Sequence, residues 1–168
     1  MPYKLFLVLL VVLSSFARSG ASQDNPTPKD GWFVVKATDQ DNNLVFITAN
    51  RSYKNYAHKS EYPWCLAINI PIVKQNRNGH PTDEEAVILN ATQDIIATTL
   101  EQAGPVQYVG RVTVKGYREV YYYVADPEKM SVALTKLTKK RQPRAWEYQM
   151  EQDEEWKRVA PFFKEAAN

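Results

Sequence analysis

Beyond residue 30 the chain changes its apolar period several times, and each change marks an element. Residues 31–38 and 44–49 are short β-prone runs. Asp39-Gln40-Asp41-Asn42-Asn43, a turn-rich stretch, separates them, so the two runs predict a hairpin. Residues 50–61 read as a long polar loop carrying Tyr53, Tyr56 and His58. Residues 64–70 alternate, with Trp64, Leu66, Ile68 and Ile70 to one side and Cys65, Ala67 and Asn69 to the other. After a loop over 74–81, Thr82 and Glu85 have the spacing of a capping box. The period there lengthens to that of a helix running to about Gln102. Its stripe is Ile88, Ala91 and Ile95, with Leu89, Ile96 and Leu100 beside it, and Gly104-Pro105 ends it.

Residues 106–114 and 118–125 form the next two predicted strands, joined at Lys115-Gly116-Tyr117. Asp126-Pro127-Glu128 starts a second helix: a cap, a proline at the first position and an acid at the positive dipole end. Met130, Ala133, Leu134 and Leu137 are its apolar stripe. Residues 144–150 alternate again, with Trp146, Tyr148 and Met150 on one side. Asp153 then caps a last helix carrying Trp156, Val159, Ala160 and Phe163, which Pro161 should kink or shorten. The order predicts an α+β fold: a ferredoxin-like βαββαβ sandwich with an added N-terminal β-hairpin and a C-terminal helix.

The hairpin at 115–117 decides which side chains face the helices. A two-residue turn at Lys115-Gly116 groups Val120, Tyr122 and Val124 with Arg111 and Arg118. A loop with an odd residue count groups them with Gly110, Val112 and Val114 instead. A slip of one residue reverses every side chain, and the odd loop buries valines together, so it is the expected one. Tyr117, Glu119, Tyr121 and Tyr123 then lie on an open face.

The leader changes the charge balance. Lys4 precedes an apolar run over 5–13, and Ser19-Gly20-Ala21 offers small residues for cleavage. This is the layout of a secretory signal over 1–21, followed by a flexible lead-in over 22–30 and a single domain over 31–168. The expected location is secreted or periplasmic. The apolar run is shorter than the roughly 20 residues of a membrane span, so no membrane contact is expected after cleavage. The full chain carries 21 basic and 19 acidic side chains. Cleavage removes Lys4 and Arg18 and no acid, leaving a balanced chain without a general pull on polyanions. Cys65 is the one cysteine, so no intrachain disulfide can form. Two sequons, at Asn50 and Asn90, matter only in a glycosylating host.

The string 115–124, KGYREVYYYV, is close to the third-strand signature of RRM proteins. Lys115, Gly116, Tyr117, Val120 and Tyr122 match. Arg118 replaces a small residue, and Glu119 stands where a base would stack on a ring. With the export signal and the balanced charge, nucleic acid is not an expected partner. Other marks cover most of the chain: Trp32, Tyr62-Pro63 opening a strand, Tyr108-Val109-Gly110, Tyr122-Tyr123 followed by Asp126, and Asp153 with Trp156. In order and spacing the chain resembles a bacterial family called domain of unknown function 695. The resemblance implies no established activity and supplies no catalytic residues.

The residues themselves point to few reactive groups. Cys65 sits in a strand beside Trp64 with no orienting third group for a Cys65–His58 pair. His80 near Asp83 and Glu84 makes only a weak metal set. No cofactor and no metal are expected. The basic cluster over 136–144 follows a helix C-terminus, where cations offset the dipole. The candidate site is the open sheet face, with Asn69, Arg111, Glu119, Tyr121, Tyr123 and Glu147 as its binding residues and Thr113 and Gln149 alongside. Tyrosine and arginine favour protein contact, so the expected function is a non-catalytic binding or regulatory module that meets a protein partner or self-associates. The alternative is a hydrolase using Glu119 and Glu147 as acid and base.

Overall fold

The computed structural model describes residues 31–164. The expected leader and lead-in lie outside the described residues. Six strands and two helices follow one another as β1 (Trp32–Thr38), β2 (Leu44–Asn50), β3 (Trp64–Pro71), α1 (Asp83–Ala103), β4 (Val106–Val114), β5 (Tyr117–Val124), α2 (Pro127–Thr138) and β6 (Glu147–Gln152). The strands form one sheet in the order β1-β2-β4-β5-β3-β6, antiparallel at every step. The fold is α+β, with the expected N-terminal hairpin. Asp39 closes that hairpin by accepting the amides of Asp41 and Asn43 at 3.0 and 2.8 Å.

Both helices begin where the caps predict. Thr82 Oγ1 accepts the Glu85 amide at 3.3 Å, and Asp126 Oδ1 accepts the Lys129 amide at 3.0 Å. Only half of the capping box forms. The Glu85 carboxylate turns instead to the Val73 amide at 2.9 Å and to Arg144, whose Nη2 reaches its two oxygens at 2.7 and 2.6 Å. Arg144 therefore leaves the basic cluster and enters the interior, and β6 starts later than the alternation suggests. The buried stripe of α1 is Leu89, Thr92, Ile96 and Leu100, while Ala91 and Ile95 face solvent. The stripe is rotated from the expected one because a helix that also buries Glu85 must turn that residue's side inward.

Two cores lie on opposite sides of the sheet. Under the helices pack Leu66, Ile68, Ile70, Val120, Tyr122 and Val124 with Leu89, Ile96, Leu100, Met130, Leu134 and Leu137. On the other side pack Tyr53, Tyr62, Cys65, Val109, Tyr121 and Tyr123 with Trp156, Val159 and Phe162. Each fully buried side chain of leucine size contributes about 1.5–3 kcal/mol.

This second core explains why the odd-count loop expected between β4 and β5 does not form. Val114 pairs with Tyr117, so the β4–β5 turn has two residues, Lys115 and Gly116, with Gly116 at φ 90°. Arg111 pairs with Val120 and shares the helix side with it, whereas Val112 pairs with Glu119 and packs in the second core. Burying valines together could not select the odd loop, because both faces bury valine. A bulge at Val109 adds a further parity change: Tyr108 opposes Tyr122, and Gly110 opposes Tyr121. Gly110 is forced there, since a Cβ would lie 2.5 Å from the Thr48 carbonyl oxygen.

The expected C-terminal helix is replaced by turns and a 3-10 turn, Ala160–Phe163. Trp156 adopts φ 59°, which no α-helix tolerates, and Pro161 has no amide to continue one. What holds this path is the indole, stacked on Tyr123 at 3.9 Å and donating Nε1–H to the Tyr62 carbonyl at 3.1 Å.

Candidate functional site

The six expected site residues divide between the two sides of the sheet. Glu119, Asn69 and Glu147 do lie in one row across β5, β3 and β6. Tyr121 and Tyr123 share their face. That face is not open at the tyrosines, which are 5 % and 0 % exposed. Phe162 meets the Tyr121 ring edge-on at 5.1 Å, and Trp156 covers Tyr123. The physical reason is the loop after β2, which reads as polar but turns Tyr53 inward, its hydroxyl donating to Gln107 Oε1 at 2.8 Å. Tyr53, Tyr56 and Trp156 then form one aromatic layer below the sheet. The repeated tyrosines were the signal available in the sequence.

The polar groups of this covered face hold it shut. The Tyr123 hydroxyl donates to Asp153 Oδ2 at 2.6 Å, and the amides of Lys157 and Arg158 donate to the same carboxylate at 2.8 and 2.9 Å. Partial burial works to raise Asp153, but the Tyr123 hydroxyl and the two amides outweigh it and the carboxyl sits below its ordinary value. Burial, then the bond to Asp153, pushes the Tyr123 hydroxyl far up. Tyr121 donates to Glu119 Oε2 at 2.5 Å, and Arg158 lies 3.8 Å from the other oxygen of Glu119. Glu147 stands two strand spacings from Glu119, about 10 Å between backbones, and the Glu119 carboxylate is engaged by Tyr121 and Arg158.

The thiol is buried and both imidazoles are hydrogen-bonded. Burial pushes the Cys65 thiol up to about 12, so it stays protonated at neutral pH. His58 Nδ1 bonds Glu61 at 2.7 Å, and His80 Nε2 bonds the Leu44 carbonyl at 2.9 Å while its ring meets Phe46. Among the described residues no group of three His, Cys, Asp or Glu gathers as a metal site.

Among the described residues two parts of the sheet are uncovered: the β6 end of the tyrosine face, where Glu147 and Gln149 are exposed, and the helix side of β1 and β2. Val34, Thr48, Arg111 and Val120 form one row across four strands, and Lys36, Phe46, Thr113 and Arg118 form the next. The residues of β1 on this side, Trp32, Val34, Lys36 and Thr38, are all exposed. Trp32 is 47 % and Val34 65 % exposed. At the inner end of this shelf, two guanidiniums meet the flank of α1. Arg118 Nη1 donates to Asn90 Oδ1 at 2.8 Å, and Arg111 Nη1 donates to the same oxygen at 3.4 Å and to Gln93 Oε1 at 3.3 Å. Tyr108 links the pair to the shelf, with its ring 5.2 Å from Trp32 and 5.3 Å from Tyr122. Among the described residues no carboxylate lies within ion-pair distance of either arginine. Of the expected site residues, Arg111 alone reaches this surface.

One sheet buried on both sides, helices on one and loops on the other, with a cationic shelf at one edge, defines a small α+β protein. The residues that carry the family resemblance meet inside it: Trp32, Tyr108 and Tyr122 in one ring series, and Tyr123, Asp153 and Trp156 in one latch. The chain belongs to a family of unknown function, DUF695, whose model matches residues 30–162. Nothing among curated proteins or solved structures matches it.

Proposed function

We propose that the protein is an exported binding or regulatory module that meets a protein partner of acidic character through the shelf of β1 and β2. The observation that carries this reading is the exposed pair Trp32 and Val34 beside two arginines with which no carboxylate among the described residues pairs. Aromatic and aliphatic anchors next to arginine suit protein contact, and the uncompensated charge favours acidic groups. Strand β1 is also an edge of the sheet among the described residues, a place where a partner can add a strand. Export is supported by the apolar run over 5–13 and the small residues before position 22. A ferredoxin-like plan for the last four strands of the chain is supported by their order, β4-β5-β3-β6, with the helices following β3 and β5.

The test uses the mature chain recovered outside the cytosol, with an N-terminus near residue 22 by mass. It is compared with W32S/V34S as bait, and sedimentation reads self-association of each. A partner or a dimer held by the wild type and lost from the double variant, with the circular dichroism unchanged, is the expected result. Equal recovery by both baits removes the shelf as the interface.

A further inference from the structure

We infer that Arg111 and Arg118, with Asn90 and Gln93 of α1, form a binding site for a phosphate group, free or as a small monoester. Arg118 is only 4 % exposed, and its Nε has no hydrogen-bond partner. Buried arginines are ordinarily paired with an anion, because an unpaired charge is held away from water at a penalty. The same chain shows the ordinary solution at Arg144. Its Nε is also unpartnered, but both oxygens of Glu85 meet its guanidinium. At the shelf no such carboxylate lies among the described residues, and two cations share one neutral amide oxygen instead.

Charge and access fit the ligand. Burial and then the charge of Arg111 lower Arg118 to about 10, which leaves it protonated at neutral pH. Two full positive charges facing one point match the nearly doubly negative phosphate monoester better than a single carboxylate. Asn90 is exposed and Arg111 half-buried, so solvent reaches the Arg111 side of the pair, which Arg118 backs from the interior. A monoester's organic part would extend over Val34 and Trp32, which lie outward on the same face. Asp94, one turn along α1 from Asn90, lines a groove between the helices with Lys140 and Arg141 and makes no ion pair with Arg111 or Arg118 among the described residues.

The inference rests on the shelf being a binding surface, and the two readings fail separately. The measurement is thermal unfolding of the mature chain in about 10 mM inorganic phosphate or glycerophosphate, against acetate and chloride at matched ionic strength. Wild type is expected to gain about 2–4 °C in either phosphate and not in acetate. R111Q should lose the gain while folding normally, and R111K should keep part of it, because lysine restores the charge but not the fork. Glycerophosphate stabilising more than inorganic phosphate assigns the site to monoesters, and the reverse to the free ion. Equal gains in wild type and R111Q, equal gains in phosphate and acetate, or no gain at all would each overturn the site. W32S/V34S losing a protein partner in the absence of any phosphate response would leave the partner reading standing alone.

Discussion

Asp153 is a residue on which several links converge. Its carboxylate receives the Tyr123 hydroxyl and two backbone amides, so its charged form is favoured in the fold and its pKa is lowered. A group with a depressed folded pKa stabilises above its unfolded value, ordinarily near 3.8, and that contribution disappears as pH falls through the folded value. D153N keeps one acceptor but loses the charge. The variant should therefore lose on the order of 1 kcal/mol at neutral pH, a modest figure because the site is partly exposed and screened. The gap between variant and wild type should close below about pH 4. Denaturant titrations at neutral and acid pH check this, and a gap independent of pH would remove the charge from the account. The cap itself was legible in the sequence. The turn that follows it was not, because the indole of Trp156 is held by the Tyr62 carbonyl and by Tyr123, and its backbone leaves the helical path at φ 59°.

At the scale of elements, the C-terminal turn takes the place of a helix layer on the second side of the sheet. It is held by one large anchor, Trp156, and by Val159 and Phe162 beside it. W156A should cost about 3–5 kcal/mol, the usual penalty for truncating a buried tryptophan. It should also expose Tyr123 and raise the reactivity of Cys65 toward a thiol reagent, since burial is the first cause of that thiol's high pKa. Unchanged reactivity in a destabilised W156A would mean that the rest of the segment stays in place without its anchor. The strands and both helices were legible because period and caps agree locally. The face of each strand was not, because an alternation rule needs one dry side and one wet side. In β4 and β5 both sides are dry, so Val112 and Val120 could face opposite ways at no apolar loss. The arginine pair escaped detection for the same reason: it requires the two-residue turn that the valines argued against.

For the whole molecule, one sheet shared by two cores sets how the fold comes apart. Along β5, Val120, Tyr122 and Val124 belong to the helix-side core, while Tyr121 and Tyr123 belong to the other. Peeling away the loop and the C-terminal turn would strip two tyrosines of cover, each burying roughly 150–250 Å². Loss of the helices would likewise leave the opposite side chains of the same strand bare. Neither layer can leave without weakening the strands that carry the other, so the described fold should unfold as one cooperative unit. Far-UV circular dichroism reads the helices on one side. The fluorescence difference between wild type and W156F reads the other. The two signals are expected to share a midpoint and a slope in urea. An earlier transition in the fluorescence alone would show the second layer to be a separable, lower-stability unit. In that case Tyr121 and Tyr123, closed in the resting fold, would become available to a partner through local opening, and the covered face would re-enter consideration as a binding surface.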